Sequence, residues 1–144
     1  MHQRKKLFPR VAALVKALAA LPETTPRASR ESFTRDVEEM ARATAEGHPD
    51  DSWIAARVEG AEKLAEGFAR GEDPYRTQTG VVFRAYRSAL DGQLQPYVAY
   101  IPKSHKPDGA ALPMIVSFHG LTHQGEHALR AVIGEPRRSA HPLA

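Results

Sequence analysis

Near residue 76 the hydrophobic period of this chain changes from that of a helix to that of a strand, so any fold must accommodate two unlike halves. In the first half, Phe8, Val11, Leu14, Val15, Leu18 and Leu21 recur at helical spacing until Pro22, which cannot continue a helix. Phe33, Val37, Met40, Ala41 and Thr44 share one face of a second helix, which Ser29 or Ser32 can cap. Gly47 followed by His48-Pro49 closes it. A third helix is expected from about Ser52 to Arg70, with Asp50 or Asp51 as its cap and Gly71 and Asp73-Pro74 as its exit. Its stripe is Ile54, Val58, Ala61, Ala65 and Phe68, and Trp53 reads as a packing anchor beside it. Several of these apolar positions are alanine. Three such helices alone would make a thin core, and they are expected to pack on something else.

From Val81 the pattern alternates loosely, with Phe83 and Ala85 on one face and Val82 and Tyr86 on the other. Asp91-Gly92 then separates two strand-like runs, the composition of a tight hairpin. A two-residue loop there would set Tyr86 opposite Tyr97 and Phe83 opposite Tyr100. Pro96 has no N–H to give a ladder, which places its strand at a sheet edge. The polar stretch 103–109 leads to Pro113-Met114-Ile115-Val116-Ser117-Phe118, a short apolar run with the character of a strand buried on both faces, and this run ends in His119-Gly120. No internal repeat is visible. The expected organisation is a helical segment over 1–75 and a strand-bearing segment over 76–144.

Charge and composition narrow the function classes. Twenty Lys and Arg against seventeen Asp and Glu leave a formal charge of only +3, and the densest basic run is His2, Arg4, Lys5, Lys6 and Arg10. No reading motif or set of stacking aromatics accompanies that run, so no nucleic-acid partner is expected. Cysteine is absent, which excludes disulfides and thiolate metal ligands. No apolar stretch approaches the roughly 20 residues that span a bilayer. The N-terminus imitates a secretory signal, with Arg4-Lys5-Lys6 ahead of an apolar stretch and Ala17-Leu18-Ala19 in the small-x-small form of a cleavage site. Pro9, Arg10 and Lys16 interrupt that stretch, so a cytoplasmic location is expected, with secretion as the alternative.

The order of segments carries a resemblance. Arg84 through Gly92, Gln95-Pro96-Tyr97-Val98-Ala99-Tyr100-Ile101-Pro102 and Pro113 through Gly120 together resemble the opening of an α/β-hydrolase, closest to its esterase and prolyl-oligopeptidase-like branches. The resemblance covers roughly residues 76 to 133. It implies an α/β fold in which a helical segment precedes the first strands of a hydrolase sheet, here incomplete. It also implies a serine hydrolase acting on a small-molecule ester or peptide substrate, without cofactor or metal. In such enzymes the loop after the third strand gives one backbone N–H to the oxyanion hole. The donor implied here is Leu121 or Thr122, with His119 and Gly120 shaping the loop. His119 is not the implied base, because the superfamily's catalytic histidine follows its nucleophile in the chain. Where many lipases add further glycines after His-Gly, this chain has Leu121-Thr122-His123.

No Gly-x-Ser-x-Gly nucleophile elbow occurs in the sequence, and without a nucleophile the expected activity of the chain alone is nil. Glu126 to Ile133 has the pattern of the helix that follows the oxyanion loop, whereas the text after Gly134 has neither period. A frameshift or premature stop near Gly134 is the expected origin of that tail, and a disordered terminus is the alternative. Two rival functions remain. His123, Glu126 and His127 fit the H-x-x-E-H pattern of a zinc hydrolase, although Gly125 weakens the helix the pattern needs. Alternatively the helical half is a non-enzymatic interaction module. An incomplete sheet would also expose an edge through which copies self-associate.

Overall fold

The computed structural model describes residues 2–46 and 51–116, together with 129 and 133. Three helices, α1 (His2–Ala19), α2 (Arg27–Glu46) and α3 (Asp51–Ala69), precede two strands, β1 (Gly80–Arg87) and β2 (Leu94–Ile101), which pair as an antiparallel hairpin. The chain divides into two compact units. One comprises the helices through Thr77 with Arg84–Pro96, and the other comprises Gln78–Phe83 with the chain from Tyr97 onward.

In the first unit every helix packs on the other two. Leu7, Val11, Leu14 and Leu21, Phe33, Val37 and Met40, and Ile54, Val58, Ala61 and Phe68 form one core, joined by Tyr75. The rings of Phe33 and Phe68 lie 5.5 Å apart and those of Phe68 and Tyr75 6.0 Å apart, both tilted, an arrangement aromatic quadrupoles favour. The core therefore closes among the helices and Tyr75, which follows α3, and it is not the thin core the alanines suggest because the aromatics fill its centre. Trp53 packs against the edge of this core, with the Arg57 guanidinium 5.1 Å from its ring.

Two expectations for the helices are corrected. α2 begins at Arg27, so Ser29 and Ser32 lie inside it and do not cap it; the Pro26 carbonyl accepts the Arg30 N–H. On α1 the buried residue is Leu7, while Phe8 is 50% exposed and Val15 47% exposed. Val11, Leu14 and Leu21 already fill one stripe, and Phe8 and Val15 lie about 80–100° around the helix from Leu7. The end of α3 follows expectation. Gly71 takes a left-handed φ of 77°, its N–H donates to the Phe68 carbonyl, and the Glu72 N–H donates to the Gly67 carbonyl. This is the paired termination that only glycine adopts without strain.

The hairpin forms where Asp91-Gly92 predicts it, in a different register. Ser88 N–H donates to the Gln93 carbonyl, leaving Ala89–Gly92 as a four-residue loop with Gly92 left-handed at φ 69°. The Ser88 hydroxyl accepts the Leu90 N–H and the Asp91 carboxylate accepts the Gln93 N–H. These side-chain acceptors stabilise the longer loop. Carried along strands of equal length, this closure sets Tyr86 opposite Gln95 and Phe83 opposite Val98, not the tyrosines expected. Pro96 falls opposite Ala85 at a position whose backbone points away from β1, where its missing N–H costs no ladder bond. The buried residues of β1 are Val82 and Ala85, one on each pleat face, with Phe83 and Tyr86 exposed.

The largest correction concerns the third expected strand. Residues 111–116 carry no strand pairing, and Met114, Ile115 and Val116 are exposed. A strand buried on both faces needs a neighbour along each edge. Among the described residues the only strands are β1 and β2, which pair with each other. Leu129 and Ile133 are helical and half-buried, and the rest of the helix expected over 126–133 lies outside the described residues.

Candidate functional site

The residues to which the sequence assigns chemistry, His119, Gly120, Leu121 and Thr122 with the alternative set His123, Glu126 and His127, lie outside the described residues. What the described residues bring together is a polar border along α2. Ser29, Ser32 and Asp36 follow one another at helical spacing beside the stripe of Phe33, Val37 and Met40, so they project along the margin of the core.

Two clusters form there. In the first, the Ser32 hydroxyl donates to the Ala28 carbonyl at 2.8 Å and accepts the Ala85 N–H at 3.1 Å. The Glu31 carboxylate accepts the Arg87 N–H at 3.0 Å and pairs with Arg27 at 2.9 Å. Ala85 and Arg87 are the alternate residues of β1 whose N–H groups point away from β2, so α2 satisfies an edge that would otherwise be open. Arg27 holds the Glu31 carboxyl below its ordinary range; burial opposes this and the Arg87 amide adds to it.

The second cluster joins α2, α3 and the segment after it. Arg57 donates to Asp36 at 2.7 Å and to Glu39 at 3.1 Å, and Arg35 also reaches Glu39 at 3.0 Å. The Tyr75 hydroxyl donates to the other Asp36 oxygen at 3.3 Å. Arg84 donates to the Tyr75 carbonyl at 2.9 Å, and its guanidinium lies 4.2 Å from the centre of the Tyr75 ring. Burial pushes the Asp36 carboxyl up despite its Arg57 partner, and burial followed by the Asp36 charge pushes the Tyr75 hydroxyl well up. A tyrosine so raised keeps its proton, and its acceptor is already engaged. The arrangement ties α2, α3 and the segment that follows them together.

Two cavities among the described residues are small. One, of about 50 Å³, lies among the α1–α2 connection, Phe68 and Gly71–Asp73, and holds little more than a water. The other, of about 190 Å³, opens between Ser104, His105, Lys106 and Leu112, below the roughly 300 Å³ at which ligand pockets begin. Among the described residues no group of acidic or histidine side chains is placed to hold a metal, and no helix is long and apolar enough to cross a membrane. The polar border was not singled out in the sequence. Its signal was there in Ser29, Ser32 and Asp36 flanking an apolar stripe, a pattern shared by many solvated faces. Comparison with protein-family profiles, curated proteins and solved structures returns no match for this chain.

Proposed function

We propose that this chain carries the opening strands and the His-Gly loop of a serine hydrolase of the α/β type, and that alone it turns over no ester or peptide substrate. The observation that carries the reading is the order of its second half. A hairpin closes around Asp91-Gly92, the chain turns at Pro102–His105 and again at Lys106–Gly109, and an unpaired apolar run, Leu112–Val116, leads toward His119-Gly120. In a hydrolase sheet such a run is the strand that delivers the oxyanion loop, with neighbours on both sides. The backbone N–H of Leu121 or Thr122 would then stabilise the developing oxyanion, worth about 3–4 kcal/mol. The nucleophile, acid and base must come from another segment, because the sequence contains no Gly-x-Ser-x-Gly.

The test joins chemistry to genetics. The purified chain is exposed to a fluorophosphonate probe, and the DNA beyond the Gly134 codon is translated in all three forward frames. No labelling, together with a downstream Gly-x-Ser-x-Gly followed by an acid and a histidine, is the expected result. Labelling of the chain, or no such elbow in any frame, contradicts the reading.

A second reading has one observation in its favour. The helical unit closes its own core without the sheet, so it can serve as an interaction module whatever follows it. Oligomeric state discriminates: a monodisperse, stable monomer counts against an open-sheet fragment, and dependence of assembly on residues 112–116 counts for it.

A further inference from the structure

The two edges of the hairpin are closed to further strands in different ways. On β2 the backbone groups that face away from β1 belong to residues 94, 96, 98 and 100, and Pro96 among them has no N–H to offer a third strand. That closure is covalent. On β1 the outward N–H groups nearest the loop are those of Ala85 and Arg87, and side chains of α2 hold both. The Ser32 hydroxyl accepts the first at 3.1 Å and the Glu31 carboxylate the second at 3.0 Å. Glu31, Ser32 and Ala85 are all buried, and the helices and Arg84–Pro96 belong to one compact unit. Two side chains thus stand where the carbonyls of a neighbouring strand would stand. A closure made of side-chain hydrogen bonds can be undone.

We propose that Glu31 and Ser32 act as a releasable guard on β1, and that the strand they exclude is β1 of a second copy of this chain. An antiparallel pairing with Tyr86 on its two-fold axis sets Ala85 against Arg87 of the copy, in both directions. Carbonyls of the copy then accept the same two N–H groups that α2 accepts within one chain. The side chains suit this register. Each Arg87 meets a small alanine rather than a like charge, and Tyr86, 54% exposed, meets Tyr86 of the copy at the closer kind of cross-strand pair. An unrelated strand need supply neither match. The inference does not depend on the hydrolase reading.

The experiment follows amide exchange at Ala85 and Arg87 in the full chain by nuclear magnetic resonance, at low and at high protein concentration. In the parent both amides should be slow at either concentration. In Glu31→Ala/Ser32→Ala they should exchange at least about 10-fold faster when dilute and regain protection when concentrated, as a copy replaces the guard. Adding Arg87→Pro, which removes one of the paired N–H groups at the end of β1, should abolish the recovery at Ala85 while the helical circular dichroism is retained. If the double variant loses its helical signal, Ser32→Ala alone is read in the same way. Exchange that ignores concentration in a variant with intact helices overturns the proposal. So does recovery that survives Arg87→Pro, which places the contact elsewhere, and so does a parent already protected only when concentrated. Unfolding of both variants overturns it as well, because a guard so removed is part of the core and not releasable.

Discussion

Met40, Ile54 and Val58 are fully buried, whereas the same three side-chain types at Met114, Ile115 and Val116 are 83%, 80% and 60% exposed. The contrast lies in what each backbone needs. A helix satisfies its own N–H and C=O groups, so α2 and α3 require only apolar partners, which they find in α1 and in each other. A strand satisfies no backbone group by itself and needs paired neighbours before its side chains can be covered. Hydrophobicity alone does not bury a segment. The hairpin is intermediate: β2 pairs with one edge of β1, and Ser32 and Glu31 of α2 satisfy part of the other.

The largest effect should separate the two isoleucines. Ile54→Ala is expected to cost about 2–5 kcal/mol, read from urea unfolding of the helical signal, and Ile115→Ala to stay within about 0.5 kcal/mol of the parent. Equal losses would erase the contrast. Next comes the edge of β1. Ser32→Ala leaves the Ala85 N–H without its acceptor and should cost about 1–3 kcal/mol, with faster amide exchange at Ala85 and Arg87 than at the helix centres. Unchanged exchange there would mean that the hairpin holds without α2.

A smaller effect is expected at Gly67, where an added Cβ would lie 2.8 Å from the Pro74 ring. Alanine gains up to about 1 kcal/mol of helix propensity, but displacing the ring costs about 1–3 kcal/mol. Gly67→Ala should therefore lower the melting temperature slightly, and a clear rise would show that Pro74 yields freely.

The smallest effects are in pH and have opposite signs. Glu31 is held below its ordinary range, so its contribution to stability is present above the unfolded carboxylate value and is lost as pH falls through the folded one. Asp36 is raised by burial, so its contribution is present in acid and lost as pH rises through its folded value. Melting between pH 3 and 6 should show the deficit of Glu31→Gln against the parent shrinking toward acid. Over the same range Asp36→Asn should improve relative to the parent as pH rises. Parallel curves for both variants would mean that neither carboxyl is perturbed.

The helices were legible because periodicity and Gly71 act locally, and their stripes matched except where α1 offered two candidate faces. Leu7 rather than Phe8 is buried because the helix cannot turn both Val11–Leu14 and Phe8–Val15 toward one core. The hairpin's existence was legible from Asp91-Gly92, but its register was not, since the acceptors on Ser88 and Asp91 that fix the longer loop are common polar residues. The apolar run before His119 reads as a buried strand because sequence reports what a segment would bury and not whether neighbours are present to bury it. The polar border of α2 stayed hidden for a related reason: the partners of Ser32 and Asp36 come from residues 85 and 57, and spacing along one helix reveals neither.

Hydrogen exchange followed by mass spectrometry on the dilute full chain tests the central claim, that the helical core is self-sufficient and the apolar run is unpaired. Strong protection of amides across 33–44 and 54–68, with none across 111–116, is the predicted result. Protection of 111–116 comparable to that of the helices would show a paired strand there and contradict the account.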